Sequence, residues 1–99
     1  MHSALTVRRL KPGSYDAWRK AWQPDEFPEG FKEAYILRKL GDPDEVIAFG
    51  FFEGDVEKLR GDPAMAESQR VRIERMAPHV ASTGADGFYE VVEVVKPHR

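Results

Sequence analysis

The chain has 99 residues, enough for one domain and too few for two. Its 15 basic and 17 acidic residues give a net charge of −2, which provides no field to hold a polyphosphate and argues against a nucleic-acid partner. It contains no cysteine, which excludes disulfides, thiolate zinc sites and a Cys nucleophile. Of its three histidines, His2 and His98 sit near the termini, so no His-rich metal site is expected within one chain.

No apolar run approaches the roughly 18 residues of a membrane span. Met1-His2-Ser3-Ala4 lacks the charged and apolar regions of a signal peptide. The expectation is a cytoplasmic protein with no membrane partner. A domain this small buries a modest fraction of its surface and often needs support from a partner chain.

In chain order, residues 4–10 read as a first strand, with Leu5 and Val7 sharing a face. Lys11-Pro12-Gly13 breaks it, and Ser14 is placed to cap a helix. Tyr15, Trp18, Ala21 and Trp22 follow at helical spacing. Residues 23–30 form a loop. Residues 31–40 predict a second strand, with Phe31, Tyr35 and Leu37 opposite Ala34, Ile36 and Leu40. Gly41-Asp42-Pro43-Asp44 is a turn, and residues 45–54 a third strand whose center, Val46 to Phe52, carries no polar side chain.

Residues 55–60 predict a short helix. Asp62 as N-cap and Pro63 at the first helical position restart a longer one. Its inner stripe is Met65, Gln69, Ile73, Met76 and Val80, with Arg70 and Glu74 paired on the surface. Residues 82–87 read as a loop and residues 88–96 as the fourth strand.

This order describes an α+β, ferredoxin-like βαββαβ chain with an antiparallel sheet and a hairpin between the middle strands. Right-handed crossovers put both helices on one face. The other face should then alternate apolar with polar, yet the third and fourth strands are apolar on both sides. Covering some eight apolar side chains at roughly 1.5–3 kcal/mol each would yield more than about ten kcal/mol before association costs, so a homodimer is expected.

The pattern resembles the antibiotic biosynthesis monooxygenase family of the dimeric α/β-barrel superfamily. The resemblance rests on the element order and on the Tyr35-Ile36-Leu37 strand. It rests also on the Gly41-Asp42-Pro43 turn, the Val46 to Phe52 strand ending in Glu53-Gly54, and the Asp62-Pro63 restart. It implies two sheets closing into a barrel, with one pocket per chain between helices and sheet. Members of that family include cofactor-free oxygenases of polycyclic phenols, heme-degrading enzymes and many proteins of no known activity. The heme-degrading branch uses an Asn, a Trp and a His. This chain has no Asn, and Lys58 and Ser68 stand where that Trp and His would fall.

Cofactor-free oxygenation needs an apolar pocket, a proton acceptor and a polar group to steady the anion. Trp18, Trp22 and Met76 could line the pocket or could be ordinary core. Gln69 interrupts an apolar stripe, so it faces a cavity or finds a buried partner. Arg72 could meet an anionic ligand or be solvated. His79 and Tyr35 are the candidate catalytic groups. Against this, His79 suits a helix C-terminus and Tyr35 suits a core. No cofactor or metal is expected. Two functions stay open: a cofactor-independent monooxygenase acting on an aromatic or polyketide-like molecule, and a non-catalytic dimeric domain binding a metabolite or protein.

Overall fold

A computed structural model of the chain describes residues 1–98. Four strands, β1 (His2–Leu10), β2 (Phe31–Lys39), β3 (Asp42–Phe52) and β4 (Val80–Glu90), form one antiparallel sheet in the order β2-β3-β1-β4. Helix α1 (Tyr15–Trp22) joins β1 to β2. Helices α2 (Val56–Arg60) and α3 (Pro63–Met76) and a 3-10 turn (Ala77–His79) join β3 to β4. This is the expected βαββαβ arrangement: each crossover skips a strand, and both long helices lie on one face.

The expected helix starts hold in position. Asp55 accepts from the amides of Glu57 and Lys58, and the Asp62 carboxylate accepts from the Ala64 amide at 2.9 Å with Pro63 beside it. Ser14 precedes α1 as expected, but its hydroxyl makes no capping bond. The surface pair holds too, with Arg70 to Glu74 at 2.6 Å.

The chain departs from the expectation in three places. Leu40 and Gly41 form the hairpin turn and β3 starts at Asp42, leaving Leu40 98% exposed rather than in a strand. The loop expected at 82–87 lies inside β4, which begins at Val80, and the strand expected at 88–96 stops at Glu90. Turn-forming residues are accommodated here because β1 offers a full-length edge to pair with. The excess is taken up by bulges, with Gly84 and Ala85 together facing Val7 between the Thr6–Asp86 and Arg8–Thr83 pairs. Residues 91–98 lie beyond the sheet, tied by one bond from the Val91 amide to the Met1 carbonyl.

Alternation along the strands sorts their side chains onto two faces. Leu10, Val46 and Ala48 turn toward the helices and join Trp18, Ala21, Trp22 and Met76 in the core. The stripe expected along α3 is the third departure. Met76 alone of it is buried, Ile73 is 49% exposed, and Val80 belongs to β4. Helix α3 packs against α1 and stands away from the lower half of the sheet. That gap is the most consequential feature of the fold.

Candidate functional site

Side-chain size divides the helix-facing side of the sheet. At one end Leu10 and Val46 meet Trp18 and Met76, all almost fully buried, and the space is filled. At the other end the inward positions are Ala4, Ala34, Ala48 and Gly50, and above them lies a cavity of about 410 Å³. Ala4 sits on a central strand yet is exposed, because nothing covers it. Gly50 pairs with both Ala4 and Ala34 across the sheet. A Cβ there would come within 3.1 Å of the Phe31 ring. Cavities of this size are typical of small-molecule sites.

Aromatic rings form the walls. Trp22 comes from α1, Phe52 from β3 and Phe88 from β4, the latter two edge-to-face at 5.9 Å. Phe27 and Phe31 stack at 4.5 Å on the far side, held by the Gly30 corner. Gly30 has φ +86, and a Cβ on it would lie 2.0 Å from the Glu53 carbonyl oxygen. Only glycine fits where β2 begins beside the end of β3. Leu59 and Met65 close the roof, and Glu26, Phe27 and Arg60 stand exposed at the mouth.

The polar groups gather on one side. Arg72 of α3 holds its guanidinium 5.4 Å from the Trp22 ring centroid, and its Nε is buried without a partner. Burial, with repulsion from Arg8 and Arg75, pushes Arg72 down to about 10. Arg8 of β1 is 7% exposed, and burial lowers its pKa while nearby Asp86 opposes that shift. The Thr6 hydroxyl donates to Asp86 at 2.8 Å, which fixes the carboxylate at the cavity edge. A smaller hollow of about 330 Å³ continues past Gln69 and Asp86, which border both spaces, and Arg8 lines it.

One further arginine holds the frame. Arg75 donates from Nε to the Ala21 carbonyl (2.9 Å) and from an Nη to the Gln23 carbonyl (2.7 Å). These satisfy carbonyls at the C-terminus of α1, where a cation is favourable, and they fix Trp22 against the cavity.

The structure brings Trp22, Gln69 and Arg72 together at the cavity. Trp18 and Met76 belong to the filled core, although Met76 also borders the smaller hollow. Tyr35 lies on the opposite face of the sheet, stacked on Phe49 at 5.5 Å, and the Glu33 carboxylate beside it raises its pKa. His79 lines neither space; its carbonyl accepts from the Lys11 amide. Arg8, Thr6, Asp86 and Gly50 are the site residues that sequence reasoning missed. A glycine in an otherwise apolar strand was the one available signal.

No protein-family model matches the sequence, and no curated protein does. Solved structures do match over nearly the whole chain. One, from Bordetella bronchiseptica, is provisionally assigned as an antibiotic biosynthesis monooxygenase. It superimposes with a TM-score of 0.71 at 11% identity, covering 93% of this chain and 97% of its own. Another with the same provisional assignment, from Chloroflexus aurantiacus, gives 0.64 at 18% identity, covering 98% and 96%. Tetracenomycin F2 cyclase from Streptomyces glaucescens, a type-II polyketide cyclase, gives 0.56 at 17% identity, covering 97% and 98%. The chain therefore has the ferredoxin-like fold of the structures assigned to the antibiotic biosynthesis monooxygenases. At these identities the likeness is one of fold.

Proposed function

We propose that this chain is a homodimeric, cofactor-independent monooxygenase acting on an aromatic or polyketide-like small molecule. The observation that carries this reading is the aromatic-walled cavity with cationic and carboxylate groups on one side. The fold it shares with provisionally assigned monooxygenases and a polyketide cyclase supports it.

The substrate carries an acidic C–H₂ group conjugated to a phenolic ring. Asp86, steadied by Thr6, takes one proton. The positive potential of Arg8 and Arg72, both largely withdrawn from solvent, lowers the cost of the resulting carbanion. That anion passes one electron to dioxygen, and the two radicals combine as a peroxide. Asp86 returns its proton to the terminal peroxide oxygen, and loss of that oxygen as water, with the remaining C–H proton, leaves a ketone. One oxygen atom enters the product, the other departs in water, and both reducing electrons come from the substrate.

The homodimer reading rests on the other face of the sheet. Leu5, Val7, Tyr35, Leu37, Ile47, Phe49, Phe51 and Tyr89 form a continuous apolar surface there, centered on the Tyr35–Phe49–Phe51 cluster. Tyr35, Leu37 and Tyr89 are each nearly half exposed. Val92, Val94 and Val95, past the end of β4, are also exposed, at 85%, 68% and 82%. A second copy covers such a face most economically.

The test is oxygen uptake by chelator-treated protein with a panel of anthrone-like and hydroxynaphthalene compounds. Catalysed uptake with quinone formation is expected. Tight binding without turnover would replace the oxygenase with a metabolite-binding domain.

A further inference from the structure

We propose that the cavity is built for a planar aromatic carboxylate, its rings in the apolar chamber and its acid group held between Arg72 and Arg8. This deepens the reading of the cavity as a ligand site.

The pairing of the arginines leads to it. Arg9, Arg60, Arg70 and Arg75, all at the surface, each lie beside a carboxylate, with Glu45 (3.6 Å), Glu57 (3.3 Å), Glu74 (2.6 Å) and Asp25 (3.7 Å) among the partners. Arg8 and Arg72 are far more enclosed. Among the described residues neither has an ion pair or a side-chain hydrogen bond. Arg19 and Arg38 also lack a carboxylate among the described residues, each set over an aromatic ring, but two enclosed arginines without an ion pair depart from the rule that buried charges are paired. The two cations also repel each other, and the shift on Arg72 records it. Such a pair raises the energy of the empty protein. An anion bound between them would offset that cost.

Position and charge say which anion. Arg72 lines the larger space and Arg8 the smaller, and Gln69 and Asp86 border both. The acid group therefore sits at the junction, where the Gln69 amide is a further donor. Two guanidinium groups against one carboxylate leave a surplus of one positive charge. A monoanionic carboxylate balances that surplus, whereas a phosphate monoester would overshoot it. A planar carboxylate also matches a guanidinium fork. Once Asp86 has taken a proton, the two cations face the substrate carboxylate and the reacting carbanion, and charge stays balanced through the step.

Anaerobic calorimetric titration with a hydroxynaphthoate and with the matching neutral carboxamide tests this. The wild-type protein is expected to prefer the acid by about tenfold or more, the scale of charge-assisted over neutral hydrogen bonding. Arg72→Met, which keeps the apolar stem, is expected to erase the preference by weakening the acid about tenfold more than the carboxamide. Arg8→Gln is expected to reduce the preference and serves if the first variant does not fold. Equal binding of acid and amide, binding of neither, or a variant that weakens both alike would each overturn the proposal. Without dioxygen the titration reads recognition alone. Acid preference without later oxygen uptake would sink only the oxygenase reading; uptake without acid preference would sink only this one.

Discussion

Arg72 lies over the ring of Trp22, its guanidinium carbon 5.4 Å from the ring centroid, with its Nε buried and unpartnered. The ring supplies a weak electrostatic partner, worth about 0.5–2 kcal/mol in such contacts, while desolvation and like charge act against it. The free protein therefore carries a group placed for something other than stability. Arg72→Met is predicted to raise the melting temperature of ligand-free protein by a few degrees, on the order of 1 kcal/mol. Differential scanning calorimetry checks this. A clear drop would mean that the cation is structural.

Arg75 should behave in the opposite way. Its two bonds to the Ala21 and Gln23 carbonyls join α3 to the end of α1. Arg75→Ala is predicted to destabilise the fold by about 1–2 kcal/mol, discounted for its partial exposure. It should also weaken ligand binding, because Trp22 loses its support. Denaturant melts alongside titrations would show both losses.

Ala4 tests whether the cavity is used. It is exposed on a central strand, with the cavity above it. Ala4→Leu should fill the floor without displacing a packed neighbour, leaving the melting temperature unchanged or higher. Binding and turnover should fall at least about tenfold, the scale of a lost site rather than of a lost methylene. Full activity with a filled floor would move the site elsewhere.

Gly30→Ala should do the reverse and damage the fold first. Positive φ and a Cβ 2.0 Å from the Glu53 carbonyl leave no relaxed geometry. A loss of about 2–4 kcal/mol is predicted, at the upper end for single substitutions, measurable by urea unfolding.

Two surface carboxylates set a pH dependence. The Arg9 partner holds Asp42 below its ordinary value, and the Arg70 partner does the same for Glu67. For a carboxylate with a depressed folded pKa, the stabilisation is present above the unfolded value. It is lost as pH falls through the folded one. Both pairs are exposed, so the effect is small. Stability should hold from neutral to mildly acidic pH and then decline below about 4, near the unperturbed carboxylate range. The Asp42→Asn, Glu67→Gln double variant should show a shallower decline.

Much of the fold was legible because Tyr15, Trp18 and Trp22 recur at helical spacing and because Asp62-Pro63 carries an unambiguous helix start. The start of β4 was not legible. Ser82 to Gly87 has the composition of a turn, and only pairing with β1 across a bulge makes it a strand. Val91 to Val95 reads as strand by propensity, yet past Glu90 no strand is left beside it in one chain. The site was legible on the helices, where Trp22 on an amphipathic face, Gln69 interrupting an apolar stripe and Arg72 beside it were all candidates that reach the cavity. Arg8 and Arg9 are adjacent and chemically identical in sequence. Strand alternation sends Arg9 to an ion pair with Asp42 and Arg8 to the buried face. Nothing local distinguishes them.

The proposed homodimer has its own test. Phe49 stacks on Tyr35 and meets Phe51 edge-on, each at 5.5 Å, in the middle of the open face. Sedimentation velocity at micromolar concentration should give a dimer for the wild-type chain and a folded monomer for Phe49→Asp. A wild-type monomer would leave the second apolar face without the proposed partner.

Most direct of all is turnover under isotopically labelled dioxygen, using chelator-treated, flavin-free protein and a carboxylated anthrone-like substrate. One labelled oxygen atom in the product ketone and the other in water are expected, with loss of the reaction in Ala4→Leu. Unlabelled product, or label incorporated at the same rate without protein, would contradict the monooxygenase reading.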